Sequence, residues 1–129
     1  MGRIHRSEIY YVDLSGTKGR EINNKKRPAV VLTVNDINSK NLTVVVIPGT
    51  KQVPKYPGKL NIVSIAPTDL NGLSAITYFQ CHQLRALSHE RFDDLPVGIL
   101  SDDDLSKLEI GVRYTLGIQD SIGQISTRL

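Results

Sequence analysis

The chain has 129 residues, 40% of them hydrophobic and 22% charged, with a formal net charge of +3 and a pI of about 9.1. That balance excludes a disordered chain and suits one domain, which at this size buries roughly two thirds of its unfolded surface. Cys81 is the single cysteine, which excludes an internal disulfide and a cysteine-built zinc cluster.

The first segment, Met1 to Arg6, is basic but has no apolar run behind it, so it does not read as a signal peptide. Arg6 stands where a myristoylation signal needs Ser or Thr. No stretch approaches the roughly 18 apolar residues of a membrane span, so a soluble cytoplasmic protein is expected. Glu8 to Leu14 is rich in β-branched and aromatic residues and predicts a strand. Ser15 to Lys26 predicts a long, exposed, basic loop. Pro28 to Val34 is a continuous apolar run of strand length, predicting a strand buried on both faces, with Pro28 tolerated at its start. Asn35 to Asn41 predicts a turn. Leu42 to Ile47 predicts a second buried strand, stopped by Pro48-Gly49, and Thr50 to Lys59 a second basic loop.

Leu60 to Ala66 predicts a further strand, Asn71-Gly72 a turn, and Ser74 to Leu87 one or two strands. Ser101, followed by Asp102-Asp103-Asp104, marks a helix start, with Ser101 as N-cap. Leu105, Leu108, Val112 and Leu116 recur at helical spacing and Gly117 supplies the stop. The acidic triplet sits where the helix dipole favours negative charge, a sufficient reason for it without a metal. A single domain over residues 1–118 and a polar tail over 119–129 follow. Five to seven strands and one C-terminal helix make a small antiparallel barrel or curled sheet the most economical mainly β (α+β) architecture.

The charge is distributed unevenly. Residues 1–60 carry eleven basic and four acidic groups, and residues 61–129 carry five and nine. The basic share permits a nucleic-acid partner without establishing one. If the two buried strands pair antiparallel, Arg27 at the start of one lies near Thr50 at the end of the other. A guanidinium fork beside a hydroxyl can hold phosphate oxygens; the plainer reading is a surface charge and a turn residue. Phosphate-loop, zinc-protease and nucleophile-elbow motifs are absent. Of the three histidines, His5 and His89 lie in polar surroundings, and His82 falls inside a predicted strand.

Several segments, taken in order, resemble the MazF/PemK family of toxin endoribonucleases. They are Ser7 to Leu14, Lys26-Arg27-Pro28-Ala29-Val30-Val31-Leu32, Val45-Val46-Ile47-Pro48-Gly49-Thr50, Cys81-His82-Gln83-Leu84-Arg85, and Leu95 to Ser101 with the helix behind it. The match spans about residues 7 to 118. The resemblance implies an SH3-like antiparallel β-barrel with a C-terminal α-helix, a homodimer, and an antitoxin partner. It also implies metal-independent cleavage of single-stranded RNA by 2′-OH transesterification, with no cofactor. It assigns catalysis to Arg27 and Thr50. The basic loops that flank these two, with Lys18, Arg20, Lys25 and Lys26 before Arg27 and Lys51, Lys55 and Lys59 after Thr50, are then expected to track an RNA backbone, with Gln83 as a further RNA contact; the plainer reading is ordinary solvated loop lysines. Some members carry an acidic residue at the position of His82 and an arginine at that of Gln80. Here either Arg27 and Thr50 suffice, or His82 supplies the base, since an imidazole ordinarily titrates near neutrality. CcdB-like gyrase-directed toxins, which do not cut RNA, resemble the same fold and supply the alternative, a non-catalytic binding toxin. A third possibility is a regulatory protein acting only with an antitoxin.

Overall fold

The computed structural model describes residues 3–16, 26–55 and 59–119. The predicted basic loop around Lys18, Arg20 and Lys25, Tyr56, and the tail from Asp120 onward lie outside the described residues. The described elements are strands β1 (Glu8–Asp13) and β2 (Lys26–Val31), the short helix α1 (Asn35–Lys40), and strands β3 (Thr43–Thr50), β4 (Ile62–Ile65), β5 (Thr77–Gln80), β6 (Arg85–Ser88) and β7 (Gly98–Ile99). The long helix α2 (Asp102–Leu116) closes the domain. The strands form one curled antiparallel sheet in the order β4-β5-β3-β2-β1-β7, with β6 also paired to β3.

The alternation of strand side chains decides where the core lies. Tyr10 and Val12 of β1, Ala29 and Val31 of β2, and Val44 and Val46 of β3 all enter one buried cluster with Ile4, Leu14, Leu87 and Phe92. Their immediate neighbours Ile9, Val30 and Ile47 enter a second cluster with Ile65, Phe79, Cys81, Leu100 and Leu108. Successive residues of a strand point to opposite faces, so a run such as Ala29-Val30-Val31 is apolar throughout only because both faces are covered. The curl of the sheet covers the first face. Helix α2 covers the second, with Leu108 fully buried in it.

Four expectations are corrected. The apolar run after Pro28 leaves the sheet at Val31, and Val34 is half exposed as the residue that opens α1. The segment read as a turn is that short helix; Asn38, fully buried, ties it to the preceding strand by donating to the Thr33 carbonyl at 2.8 Å. Pro48-Gly49 does not end β3, which runs on to Thr50. A proline nitrogen has no hydrogen to give, but Pro48 still faces Ala29 on β2, and Gly49 and Thr50 pair with Phe79 and Tyr78 on β5. The strand crosses from one set of partners to the other at this point. Finally, the stretch from Ser74 to Leu87 is broken by a 3-10 turn, Cys81–Gln83, so His82 lies on a turn between β5 and β6 and not in a strand.

The C-terminal helix starts and stops as expected. Ser101 Oγ accepts from the Asp104 amide at 3.1 Å, and Gly117 closes the helix in the left-handed conformation. Its buried positions are Leu108 and Gly111, whereas Leu116 is half exposed. Gly111 matters because α2 lies close against the 3-10 turn. A Cβ there would stand 2.7 Å from Cys81 Sγ and 3.1 Å from the Leu60 carbonyl oxygen.

Candidate active site

The first two candidate residues stand on neighbouring strands. The β2–β3 ladder pairs Val31 with Val46, Val30 with Ile47 and Ala29 with Pro48. Arg27 lies two residues before Ala29 on β2 and Thr50 two residues after Pro48 on β3, where Thr50 pairs with Tyr78 of β5. On its other side Arg27 pairs with Val12 of β1, so the arginine is in an inner strand with neighbours on both edges. Its Nε is buried and has no hydrogen-bond partner among the described residues. An unsatisfied guanidinium N–H is costly to bury, and an incoming oxygen would satisfy it.

Thr50 is nearly buried, and its Oγ1 accepts from the Gln52 amide at 3.1 Å. The hydroxyl hydrogen remains available to a ligand. Its position is set by Gly49, where an added Cβ would lie 2.6 Å from Thr77 Cγ2 and 2.9 Å from the Phe79 ring. Only a residue without a side chain lets β3 approach β5 so closely.

Thr50 also lies on the wall of an open cleft of about 730 Å³. The segment after β3 lines one side through Gln52, Val53, Pro54 and Lys55. Lys59, Asn61, Ile62, Gln80 and His82 line the remainder. The lining thus carries two amines, three amides, a hydroxyl and an imidazole, and no carboxylate, which favours an anionic, oxygen-rich ligand. Arg27 stands outside this lining, on the neighbouring strand β2. His82 is exposed, and its Nδ1 meets Asn61 Nδ2 at 2.6 Å.

The remaining residues assigned to RNA contact are scattered. Lys26 is ion-paired with Asp93. Lys51 is exposed and does not line the cleft, whereas Lys55 does. Gln83 follows His82 in the 3-10 turn, and its Oε1 accepts from Arg85 Nη2 at 3.0 Å. Lys18, Arg20 and Lys25 lie outside the described residues. Among the described residues, no three His, Cys, Asp or Glu side chains come together in a way that could hold a metal ion.

Residues 5–116 match the family described as PemK-like, MazF-like toxin of type II toxin-antitoxin system. The chain belongs to this family. It is 32% identical over 122 residues to Endoribonuclease MazF9 of Mycobacterium tuberculosis, covering 89% of this chain and 98% of that protein. Its fold is that of a mycobacterial endoribonuclease solved in complex with its cognate antitoxin, with a TM-score of 0.70, 18% identity, and coverage of 93% of this chain and 99% of that one. It is also that of MazF from Deinococcus radiodurans, with a TM-score of 0.72, 21% identity, and coverage of 88% and 96%. The resemblance drawn from Arg27-Pro28 and Pro48-Gly49-Thr50 is thereby borne out at the level of family and fold.

Asn61 and Gln80 were not singled out as site residues by sequence reasoning. Gln80 carried one signal, since it falls where some relatives have arginine. Asn61 carried none. It reaches the cleft because Ile62 pairs with Gln80 and the Cys81 amide donates to the Asn61 carbonyl at 2.7 Å.

Proposed function

We propose that this chain is an endoribonuclease toxin that cuts single-stranded RNA without a metal, acts as a homodimer in the cytoplasm, and is held in check by a cognate antitoxin. Family membership and the likeness to Endoribonuclease MazF9 support the activity class. The neighbour solved with its cognate antitoxin supports the partner. No helix among the described residues is long and apolar enough to cross a membrane. The observation that carries the reading is an arginine with a buried Nε lacking a partner among the described residues, on the strand next to the one whose end supplies a threonine hydroxyl to a carboxylate-free cleft.

The reaction is a transesterification. The 2′-oxygen bonds to phosphorus as its proton leaves to solvent, and the P–O5′ bond breaks. O5′ takes a proton delivered at Arg27, giving a 2′,3′-cyclic phosphate and a 5′-hydroxyl. Charge builds on the non-bridging oxygens as the fifth bond to phosphorus forms. Arg27 clamps two of those oxygens and Thr50 donates to one, so both interactions are stronger in the transition state than in the ground state. Lys55 and Lys59 hold adjoining phosphates and give a salt-dependent affinity.

The test is incubation of the purified protein with a long single-stranded RNA in EDTA, with end-group mapping of the products. Cyclic phosphate and 5′-hydroxyl ends are expected, and Arg27→Ala should lower the rate about 10²–10⁴-fold. No cleavage, or cleavage untouched by Arg27→Ala, would leave a non-catalytic binding toxin of the same fold as the better reading.

A further inference from the structure

The corner that carries His82 is built with more constraint than an exposed histidine needs. Asn61 lies one residue and His82 two residues beyond the Ile62–Gln80 pair that ends the β4–β5 ladder. The Asn61 carbonyl takes the Cys81 amide at 2.7 Å, and the Leu84 amide closes the 3-10 turn on the Cys81 carbonyl at 3.2 Å. From behind, α2 lies so close at Gly111 that a Cβ there would stand 2.7 Å from Cys81 Sγ and 3.1 Å from the Leu60 carbonyl oxygen, in the two residues next to His82 and Asn61 in the chain. Backbone hydrogen bonds on both sides of the contact therefore limit where the two side chains can meet.

The contact is between Asn61 Nδ2 and His82 Nδ1, at 2.6 Å. The amide NH₂ has only hydrogens to give, so Nδ1 must present its lone pair. A neutral imidazole with a bare Nδ1 carries its hydrogen on Nε2. The free ring nitrogen is therefore a donor and cannot take up a proton.

We propose that Asn61 is a positioning residue that holds His82 in the Nε2–H tautomer, so that His82 donates a hydrogen bond to a phosphate oxygen of RNA in the cleft and does not act as the general base. The chemistry of the lining agrees. The other ionisable groups there are Lys55 and Lys59, both cationic, and no carboxylate lines the wall to receive an N–H. Helix α2 turns Leu108 and Gly111 inward, while its Glu109 is paired with Arg6. The segment facing His82 from β3 contributes Thr50 and Gln52, neither of which titrates in the working range. Relatives with a carboxylate at this position would present an acceptor; this chain presents a donor.

The inference rests on the ribonuclease reading, and two readouts separate their failures. The first is the tautomer itself, read by long-range proton–nitrogen NMR correlation on the uncomplexed protein. Wild type should show Nε2–H, Asn61→Ala a mixture, and Asn61→Asp the Nδ1–H form, since a carboxylate accepts from Nδ1. The second is the pH dependence of kcat/KM on an RNA oligonucleotide with one cleavage site. Wild type keeps its donor whether the ring is neutral or charged, so titration of the ring should contribute no limb. In Asn61→Asp the neutral ring has a bare Nε2 and only the charged ring donates. Its activity should therefore fall as pH rises through the ionisation of the ring. That limb should vanish in the Asn61→Asp/His82→Ala double variant. His82→Ala alone should lose about 10–100-fold, the scale of one hydrogen bond to a charged group. An Nδ1–H ring in wild type, or wild-type activity that rises as the ring loses its proton, would overturn the inference while leaving the ribonuclease reading intact. A chain that shows the Nε2–H ring but cuts no RNA would defeat the ribonuclease reading, and the donor role with it.

Discussion

Replacing Gly49 by alanine tests whether the approach of β3 to β5 positions the site. In an ordinary strand this change helps, because alanine loses less backbone freedom on folding, a gain of roughly 0.5–1 kcal/mol. Here the new methyl would stand 2.6 Å from Thr77 Cγ2 and 2.9 Å from two carbons of the Phe79 ring. Thr77 is 1% exposed and Phe79 is 0% exposed, so neither has room to withdraw. Overpacking of a closed core typically costs about 1–3 kcal/mol. The steric term wins, and a net loss of about 1–2 kcal/mol is expected. Relief requires β3 to move away from β5 by several tenths of an ångström, which carries Thr50 with it. Activity should therefore fall at temperatures where the variant is still folded, because a displaced donor is a weakened one. Urea denaturation supplies the stability change, and kcat/KM on a short RNA, taken well below the melting temperature, supplies the positional effect. A variant as stable as wild type would refute the packing argument. A destabilised variant with full activity would refute the claim that this contact positions Thr50.

Other positions give further predictions. Gly111→Ala places a methyl 2.7 Å from Cys81 Sγ, so despite a helix-propensity gain of about 1 kcal/mol it should destabilise by about 1–2 kcal/mol, measured by urea titration. Asn71, 1% exposed, accepts from the Thr68 and Leu73 amides at 2.9 and 3.0 Å and donates to the Ala66 carbonyl at 2.9 Å. Asn71→Ala should cost about 2–4 kcal/mol, because the Leu73 amide is left buried without a partner; a loss under about 1 kcal/mol would show that water replaces the side chain. Burial first, and then the Glu8 carboxylate beside it, push the Tyr10 hydroxyl from 10.0 up to about 12. The folded state holds that proton more tightly than the unfolded chain, so the stability it contributes is complete below pH 10 and is lost as pH rises toward 12. Denaturation midpoints across that window should fall in wild type and fall less in Tyr10→Phe. Burial likewise pushes the Cys81 thiol up to about 11, so the native protein should resist alkylation at pH 8 and react once unfolded.

Much of the architecture was legible in local sequence. Ser101 before three aspartates and Gly117 behind a periodic run bounded the last helix, because capping is settled within one turn of chain. The apolar runs at Ala29-Val30-Val31 and Val44-Val45-Val46-Ile47 announced inner strands. Proline-glycine was misread as a stop because propensity describes an isolated strand, whereas β3 exchanges partners at Pro48 and needs no amide there. Asn35 to Lys40 was misread as a turn because its helix depends on Asn38 reaching back to Thr33. His82 was misplaced because the break after Gln80 is imposed by the packing of α2 on Cys81.

The sequence by itself determined the chemistry available to this protein: an arginine at the start of one inner strand, a threonine at the end of the next, and basic segments around both. Antiparallel pairing of neighbouring strands returns the chain to the same edge, which is why the spacing put the two on one side of the sheet if those strands pair. The tertiary structure alone decided how the cleft is furnished. Asn61, Gln80 and His82 come from separate segments, and their meeting follows from the β4–β5 register and the pressure of a helix more than twenty residues further along. Long-range packing of that kind leaves no periodic mark on the chain.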